Sequence, residues 1–187
     1  TDTSNSMSSS ADFGNTTRNS WGSSAVVVAK LDWGGDWLWA KRAGGAAVDD
    51  GSGIAVDSSG NAYLTGGFSG TSAGIGNSAV KKVNSSRSDV FVAKLDSSGD
   101  WLWAKRAGGS TDSNVGIGIA VDSSFNAYVT GYFTGSSADF GNTTLNSSGS
   151  SDVFVAKLDS SGDWLWAKRA GGAAVDDGSG IAVDSSG

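Results

Sequence analysis

The chain has 187 residues and a net charge of −6, from 13 basic and 19 acidic residues, and it contains no Cys, His or Pro. Without Cys there can be no disulfide, thiolate nucleophile or Cys-based zinc site, and without His the commonest metal ligand and general base is missing. The acidic balance and the lack of a basic block argue against nucleic acid and anionic membrane as partners. No apolar run reaches the length of a membrane span, so we expect no membrane insertion.

Internal repeats organise the whole chain. The motif DVFVAKLDSSGDWLWAKRAGG occurs at 89–109 and again at 152–172, with a looser copy at 25–45. Alignment on the Trp-Leu-Trp core gives a period of 64 and then 63 residues. Self-similarity at such a period is typical of propellers, solenoids and arrays. We therefore divide the chain into a polar segment and connector (1–24), repeat 1 (25–88), repeat 2 (89–151) and an incomplete repeat 3 (152–187).

The middle repeat predicts four β-strands, at 90–95, 101–106, 117–121 and 127–133. Each is rich in β-branched or aromatic residues, and turn residues such as Asp-Ser-Ser-Gly-Asp separate them. We expect these four strands to form one antiparallel sheet, and the polar stretch 134–151 to connect that sheet to the next. The predicted fold class is all-β, with tandem four-stranded antiparallel sheets that resemble propeller blades.

The paired tryptophans of the second strand are the largest apolar groups in each repeat. The i, i+2 spacing predicts that both rings lie on the same face of the strand. We expect burial between adjacent sheets, because large aromatic rings dominate cores. The alternative is an exposed platform on which sugars stack. The Lys-Arg pair that follows is expected to be solvated or to form an ion pair with a neighbouring Asp loop.

The unit DVFVAKLDSSGDWLWAKRAGG, followed by GIAVDSSFNAYVTGYFTG and ADFG, resembles the bacterial β-propeller repeat called SBBP. The resemblance covers nearly the whole chain. It implies a four-stranded blade and a secreted or surface-attached bacterial protein, and it carries over no catalytic residues. The absence of an initiator Met is what mature or internal residues would show.

Three repeats are fewer than the 4 to 8 blades of a closed propeller. Repeat 3 ends where the strand NAYLTG would begin, so the final sheet is expected to have an unpaired edge, and such an edge can accept a strand of another chain. Three arrangements remain open: a ring closed by several chains, a head-to-tail filament, and a window of a longer array.

The Asp-rich turns are candidates for calcium, which prefers hard oxygen ligands. Ordinary turn chemistry explains the same residues. We expect no metal and no cofactor, and we keep calcium as the weaker alternative at four positions: Asp96, Asp100, Asp159 and Asp163. Paired Asp residues could also indicate a glycoside hydrolase, but they recur in loops instead of forming one unique site. We therefore expect no enzyme.

Two further sets of residues are candidate surface sites. Asn15, Asn84, Asn142 and Asn146 match the N-glycosylation pattern. Trp21 and Trp33 interrupt the repeat pattern and are candidate ligand contacts. We expect a non-enzymatic extracellular structural or adhesive repeat protein that forms homo-oligomers or polymers through open sheet edges. The alternative is a carbohydrate-binding, lectin-like propeller, for which glycans would be the partners.

Overall fold

The computed structural model describes residues 10–14, 16–19, 23–76, 78–82, 87–109 and 113–184. Within these ranges the chain forms β-strands and turns and no helix, which confirms the predicted all-β class. The sixteen strands are β1 (Ser10–Phe13), β2 (Thr16–Asn19), β3 (Val26–Leu31), β4 (Trp37–Gly44), β5 (Asp49–Val56), β6 (Ala62–Phe68), β7 (Ser72–Ile75), β8 (Ser78–Lys81), β9 (Asp89–Leu95), β10 (Trp101–Ala107), β11 (Asn114–Val121), β12 (Ala127–Phe133), β13 (Ala138–Phe140), β14 (Thr143–Leu145), β15 (Asp152–Leu158) and β16 (Trp164–Ala170).

Three four-stranded antiparallel sheets form the body of the protein. Sheet I has the order β3-β4-β7-β8, sheet II β5-β6-β9-β10 and sheet III β11-β12-β15-β16. Two hairpins, β1–β2 and β13–β14, complete the described structure. Sheets II and III are plain meanders with the propeller-blade strand order.

The prediction that the four strands of one repeat share a sheet is wrong. β9 and β10 of the middle repeat share sheet II with β5 and β6, whereas β11 and β12 share sheet III with β15 and β16. The physical reason is burial. All residues of β6 and β9 are buried, so both strands need a neighbour on each side, and they pair with each other over seven residues. The tryptophan-containing strand β10, in which Leu102 is half-exposed, lies at the edge of the sheet instead.

From its polarity, the stretch 134–151 was predicted to link two sheets, and this prediction is wrong. It connects β12 to β15 within sheet III, and it contains the unpredicted hairpin β13–β14. The corresponding stretch of sheet II contains β7–β8, which pairs with the end of β4 in sheet I through Ala43↔Ile75 and Gly44↔Gly74. These hairpins therefore connect one sheet to its predecessor.

Contrary to prediction, the sheet that lacks blade strands is the first and not the last. Among the described residues sheet I has no counterparts of β5 and β6, and its other two strands are the hairpin β7–β8. Sheet III has all four blade strands, because the first two strands of repeat 3 complete it. In sheet I, β3 forms an edge, whereas its counterparts β9 and β15 pair with β6 and β12. Residues 178–184 contain the third copy of the GIAV motif and do not form a strand.

Two apolar cores lie between the sheets. One contains Phe68, Phe91 and Leu95 and joins sheets I and II, and the other contains Tyr63, Val92 and Phe154 and joins sheets II and III. The strands at the inner edge of sheets II and III approach closely at glycines. A Cβ atom on Gly53 of β5 would lie 2.7 Å from the Ile117 carbonyl oxygen of β11. Small residues at these positions thus allow adjacent sheets to pack backbone against backbone.

Candidate interaction site between sheets

The turns 96–100 and 159–163 join the third and fourth strands of sheets II and III. The first aspartate of each turn holds its backbone in place. In both turns one carboxylate oxygen of the first residue, Asp96 or Asp159, accepts backbone N–H groups two and four residues later, at 2.9 Å. This is ordinary Asx-turn chemistry. The second aspartates, Asp100 and Asp163, pair with lysines of the preceding sheet. Among the described residues no three acidic side chains converge on a metal position, and calcium stays the untested weaker alternative.

The strands β4, β10 and β16, here called the outer strands, each contain one tryptophan pair. A β-bulge in each outer strand separates the two tryptophans. In sheet II, Trp101 lies opposite Leu95 but Trp103 lies opposite Lys94, the adjacent residue. Register shifts at the same place occur in sheets I and III. Because the bulge inserts one extra residue, it reverses the alternation of side chains. The prediction that both rings share a face is therefore wrong. Trp101 packs on the core between sheets I and II, and Trp103 on the core between sheets II and III.

In sheets I and II the second tryptophan of the pair contacts the Asp turn of the following sheet. The indole N–H of Trp39 donates to the Ser97 carbonyl at 3.2 Å. A Cβ atom added to Gly99 of that turn would lie 2.8 Å from the indole ring. The same arrangement joins sheets II and III through Trp103, the Ser160 carbonyl (3.1 Å) and Gly162.

A lysine two residues after this tryptophan adds an ion pair to the same turn. Lys41 lies 3.2 Å from Asp100, and Lys105 lies 2.7 Å from Asp163. The predicted ion pair with a neighbouring Asp loop is confirmed for these two lysines. Both aspartates are largely exposed, so each pair adds about 0–1 kcal/mol. We call the combination of tryptophan, lysine and Asp turn a latch. It fixes the orientation of one sheet relative to the next.

The first tryptophan of each pair packs against the hairpin that precedes its outer strand in the chain. Trp37, Trp101 and Trp164 lie against the turn glycines of the hairpins β1–β2, β7–β8 and β13–β14. Trp164 also donates its indole N–H to the Arg106 carbonyl of the preceding sheet at 3.1 Å. Phe140 packs edge-on against it, with ring centroids 5.4 Å apart. β10 thus contacts both of its neighbouring sheets, one through each tryptophan.

A buried polar cluster in sheets II and III was not predicted. Asp57 accepts hydrogen bonds from the side chains of Asn61 and Tyr63, and Lys94 lies 3.9 Å away. Burial opposes ionisation of Asp57, but hydrogen bonds from the Asn61 side chain and from the backbone N–H groups of Asn61 and Ser59, together with Lys94, outweigh it. They hold the pKa of Asp57 below the ordinary value. The cluster recurs around Asp122. The repeated Asp-Ser-Ser-x-Asn-x-Tyr spacing was the available signal. The cluster fixes the turn and the central strands.

A second polar cluster lies where each outer strand leads to the next sheet. The Arg106 guanidinium donates to the buried Asp89 at 2.5 Å, and the Asn114 amide donates to the same carboxylate at 3.4 Å. Burial nevertheless raises the pKa of Asp89. At the junction of sheets I and II, buried Asp49 accepts the Gly45 N–H at 2.6 Å, and burial raises its pKa as well.

The predicted surface residues divide into two groups. Trp21, Asn15 and Asn84 lie outside the described residues. Asn142 and Asn146 are exposed, and the side chain of Trp33 is fully exposed at 102%. Their exposure agrees with a surface role, while glycosylation and ligand contact stay predictions.

A groove of about 250 Å³ runs beside the edge strand β3. Its walls are Val26 to Ala29 of β3, residues 51–54 of β5, and Leu64. Ile54 and Val27 expose 57% and 38% of their surface in this region. No helix in the described part of the chain is long and apolar enough to cross a membrane.

Comparison with known proteins agrees with the blade architecture. The family model of the β-propeller repeat SBBP matches residues 38–66 and 102–141. These segments are SBBP-type repeats. Each match begins in an outer strand and continues into the following sheet, so the sequence repeat and the sheet are out of phase. The resemblance inferred from the sequence is thereby confirmed.

Two curated proteins are similar to this chain. An uncharacterised WD repeat-containing protein of Acanthamoeba polyphaga mimivirus is 29% identical over 145 residues, which are 71% of this chain and 10% of that protein. The regulatory protein FlaEY of Caulobacter vibrioides is 38% identical over 103 residues, 54% of this chain and 11% of that protein. The chain thus spans about a tenth of the length of either relative.

Proposed function

We propose that the chain is a non-enzymatic structural or adhesive repeat protein, located outside the cell or on its surface, that binds other copies of itself through open sheet edges. The observation that carries this proposal is the edge strand β3. Homo-oligomers or polymers are the expected assemblies. Neither nucleic acid nor membrane insertion has a role in the proposal, in keeping with the acidic charge.

The edge of β3 has the character of a central strand. Val26 and Val28 are 6% and 5% exposed, and the counterparts β9 and β15 each have strand partners on both sides. Among the described residues β3 pairs with β4 alone. An apolar strand edge with unpaired N–H and C=O groups is a template for another chain. Near-identical repeats increase the number of segments that can fit.

The test is to place charge on both walls of the groove. Val27→Lys with Ile54→Lys changes two exposed side chains, so we expect the fold to persist. Sedimentation velocity across a concentration series should show association of the parent chain and at least a tenfold weaker association of the double variant. Leu102→Lys is the matched control, because Leu102 is 53% exposed on an outer strand. A parent chain that stays monomeric throughout would refute the proposal.

A carbohydrate-binding role is the second candidate, and the full exposure of Trp33 favours it. Exposed aromatic faces can stack on apolar faces of other molecules. Titration of glycans should change tryptophan fluorescence in the parent chain and have no effect on Trp33→Ala. An identical response of both proteins would remove Trp33 as the contact.

A further inference from the structure

The third outer strand carries the same pair of latch residues as the first two. Trp166 packs edge-on against Tyr128 with centroids 6.2 Å apart, as Trp103 packs against Tyr63 at 6.0 Å. Its indole is therefore placed like that of Trp103. Lys168 follows two residues later and is exposed. Within the described ranges neither the Trp166 indole nor the Lys168 ammonium meets an Asp turn.

The first sheet carries the matching turn. Asp32 accepts the N–H groups of Gly34 and Asp36 at 2.8 and 2.9 Å, so residues 32–36 have the same Asx turn as the two latched turns. Gly35 has φ 88°, against 84° for both Gly99 and Gly162. The surroundings differ. No described atom lies within 4 Å of the position that a Cβ on Gly35 would take, whereas tryptophan rings cover the other two glycines.

We propose that Trp166 and Lys168 of one copy dock on the turn 32–36 of a second copy, so that the chains join head to tail. The Trp166 indole N–H then donates to the Trp33 carbonyl, the counterpart of the carbonyls of Ser97 and Ser160. Lys168 pairs with Asp36, the counterpart of Asp100 and Asp163. The same contact occurs twice within the chain, so the proposed docking uses a geometry that the structure already contains.

A further pair of segments matches across the same junction. Gly108 and Asp139 exchange two backbone hydrogen bonds, at 3.0 and 3.2 Å, where hairpin β13–β14 meets the preceding outer strand. Their counterparts are Gly171, which directly follows β16, and Asp12 of β1, which lies in a copy of the same ADFG motif. Trp33 replaces the serine of the other turns and adds a fully exposed ring at this surface.

This inference rests on the proposed self-association and adds its orientation. The turn 32–36 directly follows β3, so the proposed contact and the β3 edge lie at the same end of the molecule. The two surfaces are different, which makes the contact heterologous. Such contacts produce rings if they close and filaments if they do not.

The test exchanges the charges of the proposed pair. Lys168→Asp and Asp36→Lys each alter an exposed side chain, and each replaces an attraction by a repulsion. We expect each to weaken association roughly tenfold at low salt, and the double variant to recover to within about threefold of the parent. Lys81→Asp, at an exposed lysine of β8, is the control for net charge. Sedimentation velocity measures association, and circular dichroism verifies the fold.

The outcomes separate the two proposals. Loss in both single variants, recovery in the double variant and no comparable loss in Lys81→Asp support the latch. Association that depends on the β3 groove but is indifferent to the charge exchange overturns the latch and leaves the proposed function standing. A parent chain that does not associate overturns both.

Discussion

The substitution Gly162→Ala tests the contact between sheets II and III most directly. Gly162 lies in the turn that receives Trp103, and its φ of 84° is in the region that favours glycine. An added Cβ would lie 2.8 Å from the Trp103 ring and 3.0 Å from the Lys105 side chain. Gly35→Ala is the matched control, because Gly35 has the same turn, φ 88° and no described atom within 4 Å of the added Cβ.

The two substitutions share one cost and differ in another. The positive φ costs a residue with a Cβ about 1–2 kcal/mol, and both variants bear this cost. Gly162→Ala must in addition displace an indole ring, and overpacking of this kind costs about 1–3 kcal/mol. We therefore expect Gly162→Ala to lose about 1–3 kcal/mol more free energy of unfolding than Gly35→Ala.

Urea unfolding followed by tryptophan fluorescence would measure both losses. The protein concentration should be low enough that copies do not associate, since Gly35 lies on the proposed docking turn. Equal losses in the two variants would show that the Trp103 contact is absent or yields without cost, and would refute the latch between these sheets.

The polar cluster at the junctions provides two predictions about pH. Asp49 binds its proton more tightly in the folded state than in the unfolded chain. Protonated Asp49 therefore favours folding below pH ~4, and this stabilisation is lost as the pH rises through the raised folded pKa. Asp49→Asn should therefore be more stable than the parent at pH 7 and gain nothing near pH 3; a gain independent of pH would contradict this. Asn114→Asp makes the opposite change beside buried Asp89, and should cost about 2–4 kcal/mol at pH 7, less in acid. Urea unfolding at several pH values checks both, and an unchanged stability of Asn114→Asp at neutral pH would contradict the second.

The strands and turns were predictable because their signals are local. β9, β10 and β12 begin and end within one residue of the predicted bounds, since β-branched residues and Asp-Gly turns decide them. Sheet membership is a non-local property. The hairpin β9–β10 could share a sheet with the hairpin that follows it or with the one that precedes it. Both arrangements give four-stranded sheets, and the connections permit both. The apolar character of both faces of 90–95 was the signal for a central strand, and it was visible in the sequence.

The interaction site was less predictable, because a bulge decides it. Nothing in the Trp-Leu-Trp motif shows that an extra residue enters the strand at this point, yet the bulge sends Trp101 and Trp103 to opposite cores. The hairpin β13–β14 was missed for another reason. It has only three residues in each strand, and its apolar anchors Ala138, Phe140 and Leu145 are too few for a strand pattern.

Identical latches create competition between folding and association. The turns 96–100 and 159–163 have the same sequence, so the latch residues alone do not distinguish the next sheet of one chain from a sheet of another. The connecting chain makes the difference, because it holds the correct turn at a high effective concentration, of the order of millimolar for short flexible links. Contacts within the chain should therefore form first at micromolar protein. Intermolecular latches are then restricted to Trp166, Lys168 and the turn 32–36, which have no such link to each other in the described chain. Refolding at high concentration should break this order and produce mispaired, swapped species, a known failure of repeat proteins.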